Sequence, residues 1–418
     1  MKILINMYVL LALAAFLTIP LSSSAYSVLT HEAIIDASWE KSIQPLLKLK
    51  YPGSTEEQLK EAHAYAYGGA IIDDMGYYPF GSIFFSNLVH YVRSGDFVSA
   101  LLEEARDINE YAFALGVLSH YTSDIYGHPL GTNIAVPLTY PKDKEKYGNI
   151  VTYTEDRTSH LRMEFSFDVL QTVKGNYASL AYHNFIGFKV SQPVLERAFL
   201  KTYGMDINDV FGNLKLAIGT FRWSVKNLIP EATKYAWIIK KAEIKKIRPS
   251  ANAHNFRYRM KKANYYEEFG KEHKKPPVTS WAFTIIMRFF PKIGPLKGLR
   301  FTEPGEASEK LFIQSFDAVM VYYNSYLKKM AYGKNHFANK DLDTGKLTAS
   351  GEYNLCDENY GKLVLKLEDE DFEQISPALK HNIIAFYSDR NTSVSQNDKE
   401  EWGKLTKAIE ELKSTTAK

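Results

Sequence analysis

The sequence predicts an all-α protein, a multi-helix core followed by a mainly helical C-terminal extension. Three observations lead there. Apolar residues recur at helical spacing in one segment after another, strand-like alternation is scarce, and capping residues precede several apolar runs. With 418 residues, 45% hydrophobic and 24% charged, the chain is long enough for one large globular domain or two ordinary ones. The net charge of +3 singles out no partner.

The N-terminus lies outside this core. Met1-Lys2 is a short basic start, and Ile3 to Leu21 is apolar except for Asn6, Thr18 and Pro20. Ser22-Ser23-Ser24-Ala25 follows, with small residues at Ser23 and Ala25, the pattern read by signal peptidase. We therefore expect residues 1–25 to be a signal peptide removed after Ala25, giving an exported protein, periplasmic or secreted. An uncleaved membrane anchor is the competing reading. No later segment has 18 uninterrupted apolar residues. Cys356 is the single cysteine, so no internal disulfide can form, and a bound metal would supply the missing staple.

The helices follow in order. Thr30 can cap a helix running through Ile34, Ile35 and Trp39 toward Leu49. Ser54 with Glu57 fits a capping box before a helix ending near Gly68. Residues 82–93, 97–106, 109–127 and 158–173 carry helical periodicity. Gly361 to Leu367 reads either as a strand or as the start of a helix. Composition shifts near residue 240. From Lys240 to Lys275 there are twelve Lys or Arg against four Glu, with Tyr and Phe interleaved. The divisions are thus 1–25, 26–245 and 246–418. The last twenty residues read as a surface helix and a frayed tail.

The chemistry concentrates between residues 26 and 164. His120, Asp124 and His128 are spaced i, i+4, i+8, which stacks them on one face of a helix. His160 and Glu164 repeat the i, i+4 spacing. Asp74 sits in the Gly-rich segment Gly68–Gly76, with Asp73 as its competitor, and His31 and His90 flank it in sequence. Imidazole and carboxylate donors on rigid elements suit zinc, and the lack of thiolates favours an open catalytic site over a closed structural one. A non-catalytic, zinc-stabilised surface-binding protein is the competing reading. His63, His183, His254, His273, His336 and His381 read as ordinary structural or surface histidines. No nucleophile elbow or phosphate loop is evident.

The order His31, Asp74, His90, His120-x-x-x-Asp124, His128, His160-x-x-x-Glu164 resembles the zinc-dependent phospholipase C and S1/P1 nuclease superfamily, over roughly residues 26–230. That resemblance implies an all-α phospholipase C/P1 nuclease-like core with three zinc ions. It implies one ion held by His90, His120 and Asp124, and a second by the Tyr26 terminus, His31 and a bridging Asp124. The third falls to His128, His160 and Glu164, with Asp74 as the catalytic group beside the attacking water. Tyr26 would become the first residue on cleavage and contribute backbone atoms, so an intact precursor could not complete the site. The resemblance places the third site's first His six residues after the Asp. Here the gap is four, so the adjoining loop competes with His128.

The implied activity is phosphodiester hydrolysis, foremost of phospholipid head groups. Glu164, the motif Thr30-His31-Glu32 and Asp74-Met-Gly-Tyr-Tyr-Pro-Phe-Gly81 resemble a bacterial phospholipase C-like branch. A single-strand nuclease is the alternative, and nucleic acid is a partner only on that reading. The basic, aromatic segment 240–300, with Trp281, Phe283, Phe289 and Phe290, has the character of a peripheral membrane-docking surface. A core helix flanked by a solvated basic surface is the plainer interpretation.

Overall fold

The structure is a computed structural model, and it describes residues 28–174, 189–225, 245, 301–333, 335–388 and 399–417. Among them, helices account for nearly all regular structure, and the only extended pairing is an isolated bridge between Lys340 and Leu347. The expected all-α fold is present. Residues 1–27, including Tyr26, and 246–300 lie outside the described residues, so the segment expected to be a signal peptide and nearly all of the basic segment do too.

The chain opens with α1 (Val28–Ser38), a wide π-helical turn (Trp39–Ile43) and α2 (Gln44–Lys50). Thr30 does not cap α1. The Asp168 carboxylate reaches across instead, accepting from the backbone N–H of Leu29 and Thr30 and from the Thr30 hydroxyl, at 2.6–3.1 Å. A carboxylate at a helix N-terminus satisfies amides that have no partner within the helix.

Helix α3 (Glu56–Ile72) starts one residue later than the sequence suggests. Thr55 and Gln58 form the capping box, because the Ser54 hydroxyl donates instead to the Tyr51 carbonyl at 2.7 Å. The helix also runs past Gly68. Gly68 and Gly69 do not terminate it but admit close neighbours. A Cβ on Gly69 would lie 1.9 Å from the Phe113 carbonyl oxygen, and one on Gly116 would lie 2.1 Å from that of Ala66. Bare backbone at both positions lets α3 lie directly against the helix that carries Phe113 and Gly116.

A short 3-10 turn (Asp73–Tyr77) ends α3 and leads to α4 (Ile83–Tyr91), α5 (Ser94–Glu104) and α6 (Ile108–Gly127). Asp107 caps α6, accepting from the N–H of Asn109 and Glu110. Helix α6 is buried on nearly every side, with Phe113, Leu115, Val117, Leu118, Tyr121 and Ile125 in the core. A helix apolar almost all round belongs at the centre of its domain. Each such side chain contributes about 1.5–3 kcal/mol on burial.

A second wide turn (His128–Thr132), α7 (Asn133–Thr139), α8 (Pro141–Tyr147) and α9 (Arg157–Lys174) follow. Then come α10 (Gln192–Tyr203), the one-turn α11 (Ile207–Val210) and a helix over residues 214–225. The C-terminal extension contributes α12 (Glu306–Met330), α13 (Asn354–Asp369), α14 (Pro377–Phe386) and α15 (Lys399–Ser414). The Gly361 segment therefore lies inside a helix. Helix α12 packs on α6, where the Tyr323 hydroxyl donates to the Leu115 carbonyl at 2.9 Å. One hydrophobic core runs from Val28 to Leu412, so the extension shares it with the N-terminal helices. None of the described helices is long and apolar enough to cross a membrane.

Candidate metal centre

Six elements deliver the candidate metal-ligating side chains to one buried point. Helix α1 brings His31, α4 brings His90, and α6 brings His120 and Asp124. The turn after α6 brings His128, α9 brings His160 and Glu164, and the 3-10 turn after α3 brings Asp74. All eight are buried. Asp124 is the hub. Its carboxylate lies 3.3 Å from His120 Nε2, 3.6 Å from His90 Nε2, 3.7 Å from His31 Nε2 and 3.9 Å from His128 Nε2. Asp74 Oδ1 lies 3.5 Å from His90 Nε2 and 3.8 Å from His120 Nε2. Glu164 Oε1 lies 2.7 Å from His160 Nε2 and 3.6 Å from His128 Nε2.

The local sequence explains this convergence. The i, i+4 spacing aims His120 and Asp124 along one face of α6, and His160 and Glu164 along one face of α9. Pro129 lacks an N–H, so the α-helical ladder cannot continue through it, and the chain widens into the turn that starts at His128. That turn keeps His128 with the other donors despite its shorter gap from Asp124. The Ser86 hydroxyl accepts from Gly76 N–H at 2.9 Å and donates to the Asp73 carbonyl, tying the turn that bears Asp74 to α4.

Two imidazoles have their tautomer fixed by a carbonyl. His120 Nδ1 sits 2.9 Å from the Ala70 carbonyl oxygen, and His90 Nδ1 sits 2.7 Å from that of Ser86. A carbonyl only accepts, so in each ring Nδ1 carries the hydrogen and the neutral ring's lone pair is on Nε2. These two Nε2 atoms face each other at 3.3 Å. Two lone pairs at that distance repel unless a cation or a proton lies against them. His31 stacks on His120, with ring centroids 4.3 Å apart.

Other donors are buried without hydrogen bonds. Among the described residues, neither carboxylate oxygen of Asp124 or Glu164 has a hydrogen-bond partner, and neither has His160 Nε2, although it lies beside Glu164. Buried polar atoms are rarely left so, and donors gathered for a cation account for the exception. Burial would raise Asp124, but the imidazoles of His120, His128 and His31 hold it well below the usual carboxylate range. Burial pushes Glu164 up to about 7. Burial opposes a charge on His160, yet the Glu164 carboxylate raises it to about 9. His128 is lowered by burial to about 4, the neutral form that a metal ligand needs.

Asp73 and Asp74 are told apart by what they face. Asp73 is pushed up to about 6 by burial. It is Asp74 whose carboxylate meets His90 and His120. His63 stacks on Trp39 and pairs with Asp36 at 3.2 Å, a structural role. His183, His254 and His273 lie outside the described residues, as does Tyr26.

Sequence reasoning missed Asp343. It is buried in the loop between α12 and α13, and its carboxylate groups with His128 and His160 as potential metal donors. Two further groups of donors converge in the same way, His31 with His120 and Asp124, and Asp74 with His90 and His120. Nothing in the spacing around Asp343 marks it, because only the return of the chain brings it near His128.

Residues 30–213 match the family model for zinc dependent phospholipase C. No curated protein and no solved structure matches the chain. The matched span contains every donor from His31 to Glu164 and ends well before Asp343.

Proposed function

We infer the activity from residues 30–213, which match the family model for zinc dependent phospholipase C. The protein is an exported zinc-dependent phosphodiesterase that cleaves phospholipids on the glycerol side of the phosphate. The observation that carries this reading is the buried convergence of five imidazole Nε2 atoms on the carboxylates of Asp74, Asp124 and Glu164. Asp124 and Glu164, at its centre, have carboxylate oxygens without hydrogen-bond partners among the described residues.

These residues fit zinc. The donors are nitrogen and oxygen without thiolate, and the mixture of His and carboxylate is the donor set of catalytic zinc sites. His90, His120 and Asp124 would hold one ion with Asp74 beside it. His31, Asp124 and the amino end of a chain cut before Tyr26 would hold a second, and His128, His160 and Glu164 a third. Held by these residues, zinc would supply an acidified water, its pKa lowered from 15.7 to about 7, and would polarise phosphoryl oxygens.

The chain's own groups do the rest. Asp74 orients the attacking water and takes its proton. Ala70 and Ser86 fix the two rings whose Nε2 atoms flank that position. Tyr77 and Tyr153 stand edge-on to His90 and His160, and burial keeps both phenols protonated. They wall the site against bulk water, which strengthens each electrostatic contact inside.

The test sets phospholipid vesicles beside single-stranded DNA, with zinc-loaded protein starting at Tyr26. Release of diacylglycerol with a water-soluble phosphate monoester, abolished by a chelator, supports the proposal. Release of nucleotides alone would move the protein to the nuclease branch and refute it.

A further inference from the structure

We propose that Asp343, carried by the C-terminal extension, is a positioning residue that sets His128 for zinc, so that the extension completes the third metal site. This rests on the zinc reading above and deepens it. The extension lies beyond the span that matches the family, so the inference concerns this chain's own architecture.

The loop from Phe337 to Gly345 is strapped over the ligand-bearing helices. Its contacts run in register with the metal donors. The hydroxyl of Tyr121, the residue after His120, donates to the Ala338 carbonyl at 2.7 Å. Leu342 N–H donates to the carbonyl of His90 itself at 3.1 Å, which holds the strap against the end of α4. The Asn133 amide donates to the Asp343 carbonyl at 2.8 Å, fixing the strap just past the turn that carries His128. Gly345 adopts a left-handed φ of +70°, and a Cβ there would sit 2.3 Å from the Ile125 carbonyl oxygen, so the strap turns directly against α6.

Within this strap the Asp343 carboxylate is divided between two tasks. Oδ2 accepts from Tyr153 N–H at 2.8 Å and from the Tyr353 hydroxyl, which fix the plane of the group. Oδ1 is buried, makes no closed hydrogen bond among the described residues, and faces His128 Nδ1 at 3.5 Å, near enough to draw the ring hydrogen to that nitrogen. On the other side of the same ring, Nε2 faces Glu164 and Asp124 at 3.6 and 3.9 Å. A carboxylate behind Nδ1 favours the tautomer with its hydrogen there, which leaves the Nε2 lone pair for the metal. Partners of this kind orient a ligating imidazole and raise its basicity, and losing one typically weakens metal binding about 10–100-fold. Ala70 and Ser86 perform this task for His120 and His90 with carbonyls from within the matched span. For His128 the partner comes from the extension.

The experiment measures zinc retained per full-length chain against a graded chelator, with Asp343→Ala, Asp343→Asn and Tyr353→Phe beside wild type. Circular dichroism of the metal-free proteins checks that each folds. Asp343→Ala should weaken one of the bound ions about 10–100-fold and leave the others unchanged. Asp343→Asn keeps an oxygen acceptor for Nδ1–H and should restore much of that loss, which a direct ligand would not permit. Tyr353→Phe frees one anchor of the carboxylate and should weaken the same ion less. If Asp343→Ala fails to fold, the Asn and Phe variants carry the comparison. Wild-type retention in all the folded variants would overturn the proposal, and so would an Asn variant as weak as the Ala variant. A wild-type chain that takes up no zinc would overturn the zinc reading together with the proposal, which keeps the two failures apart.

Discussion

Replacing Gly69 by Ala tests whether the close approach of α3 and α6 builds the metal centre. Helix propensity alone favours the change, because Ala is better than Gly in a helix interior by about 1 kcal/mol. The packing opposes it. The new Cβ would lie 1.9 Å from the Phe113 carbonyl oxygen and 2.9 Å from Val117 N, where ordinary contact begins near 3.4 Å. Both neighbours are backbone, so the helices must separate. Overpacking of this kind costs about 1–3 kcal/mol. Separation also stretches the bond from His120 Nδ1 to the Ala70 carbonyl, now 2.9 Å, at a further cost of about 1 kcal/mol. Set against the propensity gain, the net expectation is a loss of about 1–3 kcal/mol. Denaturant unfolding followed by circular dichroism reads it, with Gly403→Ala as the control. Gly403 lies in α15 with nothing within 4 Å of its added Cβ, so that change should stabilise slightly. A Gly69→Ala protein as stable as Gly403→Ala, with full zinc affinity, would refute the reasoning.

The same centre makes Asp74 and the His160–Glu164 pair open to test. Asp74→Asn should abolish phosphodiester hydrolysis while leaving most of the zinc in place, read by metal analysis beside a turnover assay; unimpaired turnover would remove Asp74 from the chemistry. Zinc binding should release protons near neutral pH. Burial raises Glu164 to about 7, and Glu164 raises His160 to about 9 against the effect of burial, so the metal-free pair retains a proton between those values. Zinc requires the imidazole neutral and the carboxylate ionised. Apparent affinity should therefore climb as pH rises from about 7 to about 9 and fall away below, and calorimetry in buffers of different ionisation enthalpy detects the released protons. An affinity independent of pH across that range would contradict the prediction.

The donors on regular helices were legible because helical spacing is a local property. His120 and Asp124, and His160 and Glu164, could be paired from the 3.6-residue period alone. His128 was harder to assign. Its place depends on Pro129, which interrupts the ladder and widens the turn. Helix ends were less legible than helix interiors. Ser54 and Thr55 are both competent caps, and which one serves depends on the Ser54 bond to Tyr51. Gly68 and Gly69 looked like a helix stop, yet they mark contacts with Lys189 and Phe113, which only the packed structure supplies. Asp343 was not legible at all. Its neighbours His128 and Tyr153 come from distant segments, so no spacing rule reaches it.

The most direct test is zinc per chain in the full-length protein starting at Tyr26, compared with Asp124→Ala and Glu164→Ala after equal dialysis. With Asp124 as the hub and Glu164 on a separate ion, Asp124→Ala should lose more zinc than Glu164→Ala, and both should hold less than wild type. A wild-type chain that binds no zinc, or an Asp124→Ala chain that keeps its full complement, would contradict the account.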